Sequence, residues 1–155
     1  MVFKNEKQLK AFLLQKCKVA LTEAQEQIYQ IIDGFIKDFY TDYSPEMYER
    51  THQLYRSLVK TRISPVGDGF ETQIFFDLDG LKYNSGERPS GEQVMDAAKQ
   101  GLHGAIGDIP NSDKRFLYVG GNTGVNIWGN PIQKLNAEAI EILKNRLIAA
   151  GVPIK

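Results

Sequence analysis

Arg50 and Arg56 are the side chains best suited to recognition in the stretch from Tyr43 to Lys60, YSPEMYERTHQLYRSLVK. A guanidinium presents a rigid fork of donors that can grip a carboxylate on a neighbouring element or protomer. Asp42, Glu46 and Glu49 offer the competing reading of pairs within the chain. Reactive residue types elsewhere are poorly arranged for catalysis. His52 and Ser57 would point about 140° apart on a helix, and no Gly-x-Ser-x-Gly elbow or third triad member accompanies them. His52, His103 and the single Cys17 do not amount to the three or four protein ligands of a zinc site. Asp77-Leu78-Asp79-Gly80 resembles the start of a calcium loop, but the spacing then needs oxygen ligands where Leu81 and Lys82 stand. Gly120-Gly121-Asn122-Thr123-Gly124 lacks both the Gly-Lys-Ser/Thr ending of a P-loop and the GxGxxG of a dinucleotide fingerprint. The expectation is a protein that is not an enzyme and has no cofactor and no metal.

Charge adds two further candidate contact residues, Lys7 and Lys10. Lys4, Lys7, Lys10, Lys16 and Lys18 crowd the start of the first helical stretch, while Asp33, Asp38 and Asp42 gather toward its end. Both groups oppose the helix dipole. A neighbouring copy presenting its acidic end to the basic end would relieve this, as a head-to-tail ring requires. The bland alternative is two solvated charged faces. Lys plus Arg and Asp plus Glu both number 19, so no net charge draws the chain to nucleic acid or to an anionic membrane. Any nucleic-acid contact is expected to be incidental, and no membrane partner is expected. Cys17 suits a reducing cytosol as a small buried hydrophobe. Neither a secretory leader nor an apolar run approaching ~18 residues is visible, which implies a protein that is made and stays in a cytoplasm, or leaves it by lysis.

The elements that must position these residues read as a single α+β domain over 1–155. Asn5 can cap a helix with Gln8 three positions on, and Leu9, Leu13, Cys17, Ala20, Ala24, Ile28, Ile31 and Phe35 recur at steps of three and four. This predicts one long helix over 6–39, roughly 50 Å at 1.5 Å per residue, with its second half buried and Gly34 the place for a bend or early end. Ser44 as N-cap and Pro45 as first helical residue predict a central helix over 45–59. Gly67-Asp68-Gly69 between alternating segments predicts a hairpin over 61–79. Ser90 with Gln93 resembles a capping box opening a short helix over 91–100.

Residues 101–131 contain seven glycines and no sustained period, and read as a long Gly-rich loop ordered by contact. Its apolar residues, Trp128 among them, are too many for a solvated linker, so Trp128 is a further candidate contact. Phe116–Val119 and Val125–Trp128 offer short strands around the Gly-Gly-Asn-Thr-Gly turn. Asn136 as cap, with Gly151 and Pro153 as stop, predicts a C-terminal helix over 137–150. Both long helices are expected to pack on a small antiparallel β-sheet.

Tyr48, Arg50, Thr51, Leu54 and Ser57 resemble the Tyr-x-Arg-Thr-Gly-x-Leu-x-x-Ser pattern of small tail-completion, or minor tail, proteins of long-tailed bacteriophages. His52 occupies the Gly position of that pattern, and the Glu-x-Gly-Thr element that often follows is replaced by Gln100-Gly101. The resemblance covers most of the chain. It implies a structural protein of a phage or prophage virion at the head-tail junction, assembling as a homo-oligomeric ring between the tail tube and the head-side connector. The alternative from another class is a small host-directed binding or inhibitor protein of a mobile element, outside the particle.

Overall fold

The computed structural model describes residues 3–41, 52–81, 90–100, 102–108, 115–122 and 126–154, with backbone only for the two segments between 102 and 122. The elements are α1 (Glu6–Thr41), α2 (Gln53–Ser57), β1 (Leu58–Lys60), β2 (Ser64–Val66), β3 (Gly69–Glu71), β4 (Ile74–Phe76), α3 (Gly91–Lys99), β5 (Leu102–Asp108), β6 (Arg115–Asn122) and α4 (Gly129–Ala149). The fold class is α+β, with a long helix at each end of the chain and short strand pairs between them.

α1 starts where its cap predicts. The Asn5 side-chain oxygen accepts the Gln8 N–H at 3.0 Å, and the Gln8 side chain reaches one residue further back than a capping box requires, accepting the Lys4 N–H at 3.0 Å. The helix then runs 36 residues without ending at Gly34. Its burial is one-sided along its length. None of residues 6–19 is buried; the buried positions are Ala20, just before the midpoint, and Ala24, Gln25, Ile32, Ile36 and Phe39 in the second half, where the widening stripe predicts burial. A Cβ added at Gly34 would meet no atom within 4 Å. Gly34→Ala should therefore raise unfolding stability by about 0.5–1 kcal/mol through the lost freedom of a mid-helix glycine, measured as a higher urea midpoint. A lower midpoint would mean the glycine is needed for a local bend.

Chain contacts divide the structure into two compact units, one from residues 1–30, 60–74 and 134–155 and the other from 31–59 and 75–133. In the first, β2 and β3 form an antiparallel hairpin, Ser64 opposite Glu71 and Val66 opposite Gly69. Gly67 alone of the two turn residues has a positive φ, 54°, which is the requirement of a type II′ turn. Beyond this hairpin the ladder is interrupted. Thr61 N–H bonds the Gln73 carbonyl at 2.9 Å, while the Gln73 N–H turns to the Thr61 hydroxyl at 2.9 Å. The buried Gln25 of α1 donates into this interruption, to the Thr61 carbonyl at 2.8 Å and to the Thr72 hydroxyl. A polar side chain is thus stably buried because its amide N–H groups have acceptors. α4 joins the unit through Arg146, whose guanidinium donates to the Gln27 side-chain oxygen at 2.8 and 3.2 Å. Its end is a complete Schellman motif: Val152 N–H to Leu147 carbonyl and Gly151 N–H to Ile148 carbonyl, both 2.9 Å, with Gly151 at φ 85°.

The second unit holds most of the apolar core, with Ile32, Ile36, Phe39, Leu54, Leu58, Phe76, Leu81, Met95, Ala98 and Ile127 all buried. Its α3 opens with the capping box read from Ser90 and Gln93, closed by bonds of 3.3 and 2.9 Å.

Three expectations are corrected here. A central helix over 45–59 is not formed as one element: residues 42–51, with the Ser44 and Pro45 start, lie outside the described residues, His52 takes a left-handed conformation at φ 53°, and α2 spans only Gln53–Ser57 before the chain extends into β1. The helical spacing of the apolar residues competes here with the pairing of β1 with β4, and pairing wins because tertiary partners override local propensity. The Gly-rich loop over 101–131 is in large part an antiparallel hairpin, β5 with β6, registering Asp108 opposite Arg115 and Leu102 opposite Asn122. Phe116–Val119 does form strand, but its partner is Leu102–Asp108 rather than Val125–Trp128. Gly120 is the extra residue of a bulge, since His103 faces Gly121 and Gly104 faces Val119. Ladder hydrogen bonds use backbone groups, which glycine also has. The C-terminal helix begins at Gly129, not at 137. Asn126 is the residue that satisfies its first N–H groups, accepting from Trp128 at 3.0 Å and Gly129 at 2.6 Å, and Pro131 in the first turn has no N–H to satisfy. Asn136 is an interior, exposed helix residue.

Candidate functional site

The motif stretch is described from His52 onward, and there its residues serve to shape the chain. Leu54 and Ser57 are buried at 4% and 6% exposure. The Ser57 hydroxyl donates to the Leu54 carbonyl at 2.7 Å, and the Ser57 carbonyl accepts the Asp77 N–H at 2.7 Å. Ser57 therefore ends α2 and starts the pairing of β1 with β4. His52 stands at φ 53°, ψ 22° before α2, a conformation that is without steric cost only for glycine. Its ring lies 5.1 Å from that of Tyr40, which also meets Tyr55 edge-on at 6.4 Å. The glycine of the phage pattern falls on the one non-glycine position with positive φ among the described residues.

The candidate contact residues are dispersed. Arg50 lies outside the described residues. Arg56 is exposed in the last turn of α2, where it holds interactions of its own. Lys7 is exposed in the first turns of α1. Lys10 makes an ion pair at 2.7 Å with Asp68 at the tip of the β2–β3 hairpin, both side chains being more than half exposed. Such a pair contributes little to stability. Trp128 packs edge-on against Phe76, ring centroids 5.7 Å apart, at the entry to α4. Toward the far end of α1, Asp33 pairs with Lys37 at 2.7 Å in the favourable i to i+4 order, which offsets part of the acidic charge there.

In the first unit, Lys60 of β1 bonds the Glu26 carboxylate and lies 4.7 Å from the centroid of the Tyr29 ring. The Lys60 hydrogen bond holds the Glu26 pKa below the ordinary carboxylate value. A depressed folded pKa contributes stability above the unfolded value and loses it as pH falls through the folded one. Lys60→Met should return Glu26 to the ordinary range in an NMR titration; an unmoved titration would show that Lys60 is not the cause.

Sequence reasoning missed a pair of apolar surfaces in this same unit. Leu9, Leu13, Leu14 and Cys17 of α1 line a shallow groove of about 360 Å³, with Glu6, Lys10 and Asp68 at its edge. On α4, Ile140 is 82% and Ile148 50% exposed. The signal was present in the α1 stripe, whose apolar residues before Ala20 outnumber what one face buries within the chain.

No cluster of three or more His, Cys, Asp or Glu that could hold a metal occurs among the described residues. Nor is any described helix long and apolar enough to cross a membrane. Fold and site together define a small α+β protein whose distinctive features are structural motifs and exposed apolar surface. The chain belongs to the YomN family, whose model matches residues 5–149. That family is phage- and prophage-derived, named from the SPbeta prophage region of Bacillus, and the protein is accordingly phage-associated. No curated protein and no solved structure matches it.

Proposed function

We propose that the protein is a non-enzymatic structural component of a phage or prophage virion, acting at the head-tail junction as a ring that closes the tail and receives the connector. The observation that carries this reading is the geometry of the described part of the Tyr-x-Arg-Thr-Gly-x-Leu-x-x-Ser stretch, residues 52–57. Position 52, glycine in the tail-completion pattern, has a positive φ, and the pattern's Leu54 and Ser57 are buried at the junction of α2 and β1. Spacing set by a backbone conformation and two buried side chains is what a shared local fold requires. Membership of a phage-derived family agrees with it.

In this reading the surfaces do the work. Arg50 and Arg56 grip carboxylates of neighbouring subunits, the basic start of α1 faces acidic surface of the next copy, and Trp128 and the β5–β6 hairpin belong to the surface that meets tail tube and connector. The test is quantitative mass spectrometry of purified particles from the source strain. The expected result is a fixed low copy number, well below that of the major tail and capsid proteins. Abundance in the lysate with absence from particles would overturn the proposal in favour of a free, host-directed binding protein.

A further inference from the structure

The groove on α1 and the ridge on α4 belong to one compact unit, so their dimensions and charges can be compared directly. Along the groove floor, Leu9, Leu13 and Cys17 recur every four residues and cover eight residues of helix, about 12 Å. On α4, Ile140 and Ile148 are also eight residues apart, so the exposed apolar ridge has the same ~12 Å length. Rows of residues at steps of four are the ridges that fit the grooves of a second helix.

The charges match as well. Lys144 stands on the α4 ridge between the two isoleucines, and Glu6 edges the groove beside the ion-paired Lys10 and Asp68. Glu138 and Glu141 are exposed on α4, and Lys7, Lys10 and Lys18 are exposed on the same half of α1 as the groove. Glu6 is therefore placed to meet the ridge cation, Lys10 and Asp68 already hold each other in an exposed ion pair at 2.7 Å, and the remaining lysines offer partners to the two carboxylates beside the ridge. Ile140 at 82% and Ile148 at 50% exposure together leave a row of apolar surface open on α4, as at a protein contact.

We infer that the α4 ridge of one copy, Ile140 and Ile148, seats in the α1 groove of the next, with Lys144 toward Glu6 and with Glu138 and Glu141 toward the α1 lysines. The inference rests on the ring reading above and supplies its contact. Groove and ridge are different patches, so each copy can offer a ridge to one neighbour and a groove to another, which is the heterologous contact a ring needs.

The lone Cys17 in the groove floor makes the contact directly testable, because it is the chain's single thiol. In the full-length protein carrying Ile140→Cys, mild oxidation should join Cys17 of one copy to the introduced thiol of the next. Every copy carries both partners, so the expected product is a ladder of covalent dimers, trimers and larger species, with the 17–140 bridge identified by peptide mapping. Ala149→Cys, introduced at an exposed α4 site off the Ile140–Ile148 row, is the control. A 17–140 bridge no more abundant than the 17–149 bridge would overturn the inference, as would a product that stops at dimers. Ile140 is so exposed that the variant folds as the parent does, and a circular dichroism spectrum equal to the parent's establishes this before oxidation. Failure of the ladder alongside a fixed low copy number in particles would discard this contact and leave the virion role standing. Absence from particles would discard the role whatever the ladder shows.

Discussion

Replacing Ile36 by alanine is expected to destabilise the protein by about 2–5 kcal/mol. Ile36 is fully buried in α1, one turn after the buried Ile32 and three residues before the buried Phe39. Deleting three of its side-chain carbons removes favourable transfer from water and leaves a cavity that close-packed neighbours refill only in part. Alanine is the better helix former, but that gain is about 0.5 kcal/mol and cannot offset the loss. The measurement is urea unfolding, with the midpoint falling and the slope unchanged. Ile140→Ala is the comparison. At 82% exposure in the isolated chain it should stay within about ±0.5 kcal/mol. Equal effects at the two positions would show that the second unit's core is not where α1 gains its stability.

Gly91→Ala is expected to cost about 1–3 kcal/mol, although the residue opens a helix where alanine is normally preferred. An added Cβ would sit 3.0 Å from the Leu78 carbonyl carbon and 3.2 Å from its Cα, and closer still to the carbonyl oxygen. The obstacle is backbone, so no rotamer change relieves it. Either α3 or the segment at Leu78 must shift, and both lie in the second unit, whose buried residues include Leu81, Met95 and Ala98. The same substitution at Gly34 meets open space and should stabilise. Opposite signs for one chemical change, read from urea midpoints of the two variants, are the test; a stable Gly91→Ala protein would mean that α3 approaches Leu78 less closely than described.

The capping chemistry was legible residue by residue. Asn5 starts α1, Ser90 and Gln93 close a reciprocal pair of bonds, and Gly151 takes the positive φ that ends α4 in a Schellman motif. Gly67 was likewise readable as a hairpin turn. Each depends on atoms within about six residues of one another, so side-chain type and spacing are sufficient to predict them. The α1 stripe also foretold that burial would fall in its second half, because apolar width on a helix tracks the area it can cover.

The candidate contact residues were less legible, since a side chain's partner can come from anywhere in the chain. Lys10 was read as part of a basic end, yet it pairs with Asp68, 58 residues away at the tip of a hairpin. Trp128 stands among loop-forming residues in the sequence, yet it packs edge-on against Phe76 beside a helix capped by Asn126. The groove along Leu9 and Cys17 is hinted at by the α1 stripe, but the tertiary structure decides it by burying nothing of α1 before Ala20.

By itself the sequence determined the α+β class, the extent and one-sidedness of α1, the caps of α1 and α3, the stop of α4 and the turn of the β2–β3 hairpin. Tertiary structure alone decided that Leu58–Lys60 leaves helical spacing to pair with Ile74–Phe76, that the glycine-rich stretch folds as β5 and β6, and that α4 begins at Gly129. The physical reason is the range of the bonds involved. A cap is closed by a neighbour in sequence, whereas a strand is stabilised by backbone groups of another segment, identical in every residue but proline, and only the folded chain determines which segment arrives.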